Sequence, residues 1–120
     1  GVLGNHDYGG FKFTSAWDQA IGYTWARGAP STGRWVMPAQ YWAAAVRYPS
    51  FSVDYYFLDT NVYDSAHQDV AGSNMCSRAH NPKGATCGPQ GPASVEDCPA
   101  WFQRLWDTQA EWLQHQPAQS

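Results

Sequence analysis

The sequence predicts an α/β protein of the layered α+β kind, and three observations lead there. Apolar residues recur at helical spacing over residues 15–26 and again between Trp101 and Leu113. Between them lie two short runs rich in Tyr, Val and Phe, 41–48 and 53–59, that read as strands parted by Pro49-Ser50. Aromatic residues make up 16% of the 120 positions, with seven Trp and seven Tyr, which is too much apolar surface for a disordered chain and enough to build a core. A chain of 120 residues forms at most one domain.

In chain order, Val2-Leu3 reads as the end of a buried strand, followed by a loop, Gly4-Asn5-His6-Asp7-Tyr8-Gly9-Gly10, whose three glycines permit tight turns and close approach to a ligand. Ser15 is a candidate N-cap for a helix to Ala26 with Trp17, Ile21 and Trp25 on one face. Residues 28–33 are loop chemistry, and the hairpin 41–59 follows. Val53, Tyr55 and Phe57 alternate with Tyr56 and Leu58, so both faces of the second strand carry apolar groups and it is expected to be central and buried on both sides. From Asn61 to Pro99 the composition shifts to Gly, Pro, Ser and Asn with all three cysteines, and a loop of that length is either functional or covalently tied. Ser94-Val95-Glu96-Asp97 resembles a capping box and Pro99 suits a first helical turn. Trp101, Leu105 and Trp112, with Phe102, Trp106 and Leu113, then form the apolar stripe of a helix to about Gln114. There are no internal repeats.

Charge narrows the function classes. Seven Lys and Arg against ten Asp and Glu leave a net charge of −3, with no basic stripe for a phosphate backbone, so no nucleic-acid partner is expected. No apolar run nears the ~20 residues of a membrane-spanning helix. The opening Gly1-Val2-Leu3-Gly4 has no initiator Met and no signal-peptide pattern, and the chain reads as an internal or processed piece of something longer.

Gly4-Asn5-His6-Asp7 carries the sharpest chemical signal. An Asn amide oxygen is a neutral hard ligand for Mn, Fe, Zn or Mg. An adjacent His can hold a phosphoryl oxygen or protonate a leaving alkoxide, and a neighbouring Asp can fix its tautomer and stabilise the imidazolium. Four such residues also fit an ordinary Asx-type turn with a solvated His. Asp59-Thr60-Asn61 ends a hydrophobic run where catalytic residues gather in open sheets, but Asp and Asn also terminate strands by bonding their own backbone, and that reading is preferred. Trp35 and Trp42 are read as core aromatics before a substrate rim, and Trp101, Trp106 and Trp112 as core.

The order Val2-Leu3-Gly4-Asn5-His6-Asp7-Tyr8, Arg34-Trp35-Val36-Met37-Pro38, Tyr56-Phe57-Leu58-Asp59-Thr60-Asn61 and Gln109-Ala110-Glu111-Trp112-Leu113 resembles the calcineurin-like metallophosphoesterases, and within them the purple (tartrate-resistant type) acid phosphatases. That resemblance implies that residues 1–120 are part of a phosphoesterase β-sandwich flanked by helices, incomplete in this chain, with a Cys/Gly/Pro-rich insertion at about 61–99. It implies a centre of two metal ions, Fe with Fe, Zn or Mn, cleaving phosphate monoesters. Asn5 would ligate the second metal, His6 would contact the phosphate and protonate the leaving group, and Asp7 would orient His6. The family's other motifs, D-x-H, G-D-x-x-Y, a lone His and G-H-x-H, would lie before Gly1 and after Ser120. Asp54, Asp59, Asp64, His67, Asp69 and His80 form none of them, so the chain by itself is expected to be inactive. The resemblance also implies a secreted or vacuolar/lysosomal protein. A non-catalytic binding or structural module that keeps the scaffold is the alternative.

Cys76, Cys87 and Cys98 are spaced eleven residues apart. With His80 they could be set out as a zinc site, but there is no C-x-x-C pair. In an oxidising compartment disulfide stapling of the insertion is the more natural use, and an odd count leaves one cysteine over. The pairing is open.

Overall fold

The computed structural model describes residues 1–8, 17–26, 34–81 and 90–116. Over them the protein is a small mixed α/β structure: helix α1 (Trp17–Trp25), strands β1 (Trp42–Arg47) and β2 (Ser52–Phe57), one 3-10 turn (Asn61–Asp64) and helix α2 (Cys98–Gln114). This agrees with an α+β arrangement and is not diagnostic of any one family.

The hairpin forms where the strand pattern places it. β1 and β2 pair antiparallel with Trp42 opposite Phe57 and Arg47 opposite Ser52. The Pro49-Ser50 connection is closed by Tyr48 N–H donating to Phe51 O at 2.7 Å. At the open end the paired Trp42 and Phe57 rings stack with centroids 4.0 Å apart, a cross-strand contact that holds the register. The expectation of a central, doubly buried strand is corrected: β2 has only β1 beside it among the described residues, and Tyr55 and Tyr56 are 43% and 38% exposed. Apolar residues on both faces of a strand specify burial only when layers cover both faces.

α2 runs Cys98–Gln114, close to the bounds the pattern predicts, with Pro99 in its first turn. The capping-box residues act one turn early. Ser94 Oγ accepts from Asp97 N–H at 3.1 Å and the Asp97 carboxylate accepts from Ala93 N–H at 3.3 Å, so they close the turn that leads into the helix. The face α2 buries is centred on Cys98, Phe102 and Gln109, with Trp101 and Leu105 partly buried beside them. Leu113, assigned to the stripe, lies one turn beyond Gln109 on the same face, yet it is 36% exposed near the end of the helix.

The core joins α2 to the chain start and to α1. Leu3, Tyr8, Trp17, Met37, Met75, Cys76, Cys98 and Phe102 form one buried cluster. The Tyr8 ring sits 5.1 Å from Phe102, 5.4 Å from Trp17 and 6.1 Å from Trp101, edge-on or tilted as ring quadrupoles prefer. α1 gives Trp17 to this cluster, but Trp25 at the far end of its predicted stripe is 68% exposed, its indole N–H held by Pro38 O at 2.9 Å. The Ser15 cap, Gly9, Gly10 and residues 28–33 lie outside the described residues. Trp35 is not a core residue: it is 43% exposed, and its indole donates to Ala20 O at 2.9 Å. Val2-Leu3 belongs to no sheet among the described residues; Leu3 is buried and Val2 exposed, and Gly1 N donates to Val36 O at 2.8 Å beside them.

The described residues of the Cys-rich segment, 61–81 and 90–99, are more ordered than its composition suggests. Asn74, fully buried, accepts from Ala66 and Cys76 N–H and donates to His67 O and Val70 O, satisfying four backbone groups of the segment with one side chain. Gly72 lies at φ 93°, a conformation that favours glycine. Cys76 and Cys98 form a disulfide with Cα atoms 5.6 Å apart, tying this segment to the first residue of α2. Cys87 lies outside the described residues. Among the described residues no helix is long and apolar enough to cross a membrane.

Candidate functional site

Gly4-Asn5-His6-Asp7 folds as a hydrogen-bonded β-turn. Asp7 N–H donates to Gly4 O at 3.0 Å, and Gly4 N–H donates to Asp7 Oδ2 at 2.8 Å. Two reciprocal bonds between the outer residues leave Asn5 and His6 as the central pair, Asn5 half-buried and His6 exposed. The structure thus brings the three candidate residues into one turn and engages the Asp7 carboxylate with the turn's own backbone. A Cβ at Gly4 would meet Asp7 Oδ2 at an ordinary 3.6 Å, so this glycine is not required by space or by a left-handed backbone.

On both sides the turn is anchored in the core. Leu3 before it is 3% exposed and Tyr8 after it 0%. Tyr8 O–H donates to Asp59 Oδ2 at 2.6 Å, and the Tyr8 oxygen accepts from Gln40 Nε2 at 2.9 Å. Asp59 Oδ1 accepts from the backbone and side-chain N–H groups of Asn61 at 2.9 and 2.8 Å, and the same Asn61 amide donates to Leu3 O at 2.9 Å. Asp59 is in turn held by Gln109 of α2, whose Oε1 accepts from Asp59 N–H at 2.7 Å and whose Nε2 donates to Asp59 O at 2.9 Å. The Gln109 side chain does here what a neighbouring strand would do beyond the end of β2.

Asp59 does bond its own backbone neighbours at the strand end, as expected, but that reading understates it. The residue is 2% exposed and bonds the segment holding the candidate turn. In the sequence Gln109 stands only as the head of one segment of the family resemblance, with no role assigned to it. One signal was available: Gln109 stands at the helical spacing of Cys98, Phe102 and Leu105, a polar residue on the core-facing side of an apolar stripe.

Burial pushes the Asp59 carboxyl above its ordinary 3.8, a larger effect than the lowering by its bonds to Tyr8 and Asn61. A carboxyl whose folded pKa is raised binds its proton more tightly folded than unfolded. Its stabilisation is therefore fully present below about 3.8 and lost as pH rises through the folded value. Denaturant unfolding measured from about pH 3 to 8 is expected to show this falling component, and Asp59→Asn to remove it. Parallel profiles for the two proteins would contradict the assignment.

Among the described residues no group of three or more His, Cys, Asp or Glu side chains is placed to hold a metal ion. Asn5 offers one neutral oxygen, and Asp54, Asp64, His67, Asp69 and His80 do not gather around it. Arg78 forms exposed ion pairs with Asp69 and Glu96 at 3.4 Å, which contribute little. An open cleft of about 330 Å³ is lined by Gln40, Tyr41, Trp101 and Arg104 among others, and none of Asn5, His6 or Asp7 lines it.

Compared with known proteins, the chain matches no family model, no curated protein and no solved structure.

Proposed function

We propose that this chain supplies the Asn-His-Asp element of a dinuclear-metal phosphoesterase of the purple acid phosphatase kind, acting on phosphate monoesters. One observation carries the reading. The turn displays Asn5 and His6 together at its tip, and it is seated on the other segments that resemble the family. Tyr8 bonds Asp59 of the Leu58-Asp59-Thr60-Asn61 segment, Asp59 bonds Gln109 of the Gln109-Ala110-Glu111-Trp112 segment, and Gly1 bonds Val36 of the Arg34–Pro38 segment. Residues widely separated in sequence thus serve one short turn.

In this reading His6 holds a phosphoryl oxygen and passes a proton to the departing alkoxide, while Asp7 keeps the turn closed so that His6 and Asn5 stay adjacent. The described residues do not make up the ligand set of a two-metal centre: Asn5 is a single neutral donor, and no group of three or more His, Cys, Asp or Glu among them is placed to hold a metal ion. The β-sandwich, the remaining ligands and secretion belong to the proposal, and the reading places those ligands outside the described residues.

The test uses the intact protein that carries this chain, with metal analysis and steady-state hydrolysis of an aryl phosphate. His6→Ala is expected to lower kcat by about 10²–10³-fold with metal content nearly unchanged, the effect of removing one preorganised donor. Asn5→Ala is expected to deplete one of two metal ions. The 120 residues alone should show no metal-dependent hydrolysis above background. Equal metal loss in both variants would end the division of roles. An intact protein that binds no metal and cleaves no phosphate ester would favour the non-catalytic module.

A further inference from the structure

We propose that Asp59 is a positioning residue for the Asn5–His6 turn, gripping both of its ends with one carboxylate and transmitting the placement of α2 to it through Gln109. The proposal rests on the phosphoesterase reading only for what the turn does, and the placement itself can be tested apart from it.

Taken alone, the turn has little to hold it. Its two closing bonds lie at the surface, where each contributes about 1 kcal/mol or less, and exposed turns held so weakly open readily. What limits it is the burial of its flanks. Each flank reaches a different oxygen of the same carboxylate: Tyr8 O–H meets Oδ2, and Asn61, bonded to Leu3 O, meets Oδ1. The spacing between the two ends of the turn is thereby referred to a single rigid group. Asp59 cannot shift on its own, because both of its backbone polar groups are held by Gln109, fifty residues further along the chain. The path from α2 to His6 is Gln109, Asp59, Tyr8, and each step is a buried bond of 2.6–2.9 Å.

Hydrogen directions make Tyr8 the sensitive link. Gln40 Nε2 can only donate to the Tyr8 oxygen, so the phenolic proton is left to point at Asp59. Tyr8→Phe removes that bond and keeps the ring among Trp17, Trp101 and Phe102. Asp59→Asn keeps an oxygen for Asn61 but turns an N–H₂ toward a Tyr8 oxygen that already accepts from Gln40, so the bond from Tyr8 O–H to position 59 is lost.

Amide hydrogen exchange on the full chain decides the placement. In Tyr8→Phe and in Asp59→Asn the Gly4 and Asp7 amides are expected to exchange at least about tenfold faster than in the wild type, with the β1–β2 ladder amides unchanged, as befits loss of a bond to a charged group. Two conservative variants keep the question open to test if one of them folds poorly. Unchanged Gly4 and Asp7 amides in both, or turn and ladder amides accelerated by the same factor, would overturn the proposal. In the intact protein a second readout separates positioning from general loosening: Tyr8→Phe should lower kcat at constant metal content and add no further loss in a His6→Ala background. Additive losses would overturn the link to His6. If the intact protein cleaves no phosphate ester, the exchange result still stands or falls by itself.

Discussion

Gln109→Ala is expected to destabilise the fold by about 2–6 kcal/mol, although it removes no apolar side chain and no charge. The side chain satisfies two backbone groups, Asp59 N–H at 2.7 Å and Asp59 O at 2.9 Å, in a region closed to water. Truncation leaves both without a partner, and each buried orphan costs about 1–3 kcal/mol. Gln109→Glu is the informative companion, since it keeps an acceptor for Asp59 N–H but sets a carboxylate against Asp59 O, and it should be no better tolerated than Ala. Urea unfolding of the three proteins measures the effect. A loss below about 0.5 kcal/mol for Gln109→Ala would mean that water replaces the amide and that the end of β2 is not sealed.

Removing the Cys76–Cys98 disulfide, by reduction or by the double change Cys76→Ala and Cys98→Ala, is expected to cost about 3 kcal/mol. The two residues are 22 apart in sequence, and closing a loop of that size restricts the unfolded chain by about this amount in the chain-entropy model. Single domains are stable by only about 5–15 kcal/mol, so the loss is large. It also bears on the site, because Cys98 is the first residue of α2, the helix that presents Gln109 to Asp59. The expected observations are a cross-linked peptide joining Cys76 to Cys98 under non-reducing conditions and a lower urea midpoint once the bond is gone. Free thiols at both positions in protein isolated from its source would remove the staple.

How much was legible beforehand depended on whether the determining physics is local. The hairpin could be read because its register follows from a two-residue connection and one aromatic pair, Trp42 with Phe57, and α2 because a stripe of large apolar residues recurs at helical spacing. The turn at Gly4–Asp7 could be read as a turn, since Asp7 closes it from three residues away. Burial was read less well. Tyr55, Trp25 and Trp35 carry as much apolar surface as Phe102, yet they stand exposed while Phe102 is sealed, because burial depends on which other segment lies opposite. The Gly, Pro, Ser and Asn composition of the Cys-rich segment reads as a loop, but Met75 and Cys76 are fully buried where the disulfide and the Asn74 bonds fold it inward.

By itself the sequence determined the two helices and the hairpin in their order, the −3 charge, the grouping of Asn5, His6 and Asp7, and the choice of three cysteines from which a staple could form. Each of these follows from composition, from periodicity or from residues within one turn of one another. The tertiary structure decided that Cys76 takes Cys98, that β2 keeps exposed tyrosines, and that a glutamine on the last helix and an aspartate at the strand end hold the candidate turn. A buried polar group must find a partner wherever the fold brings one, and for Asp59 those partners come from positions 8, 61 and 109, a set that only the packing of α2 against the chain start could select.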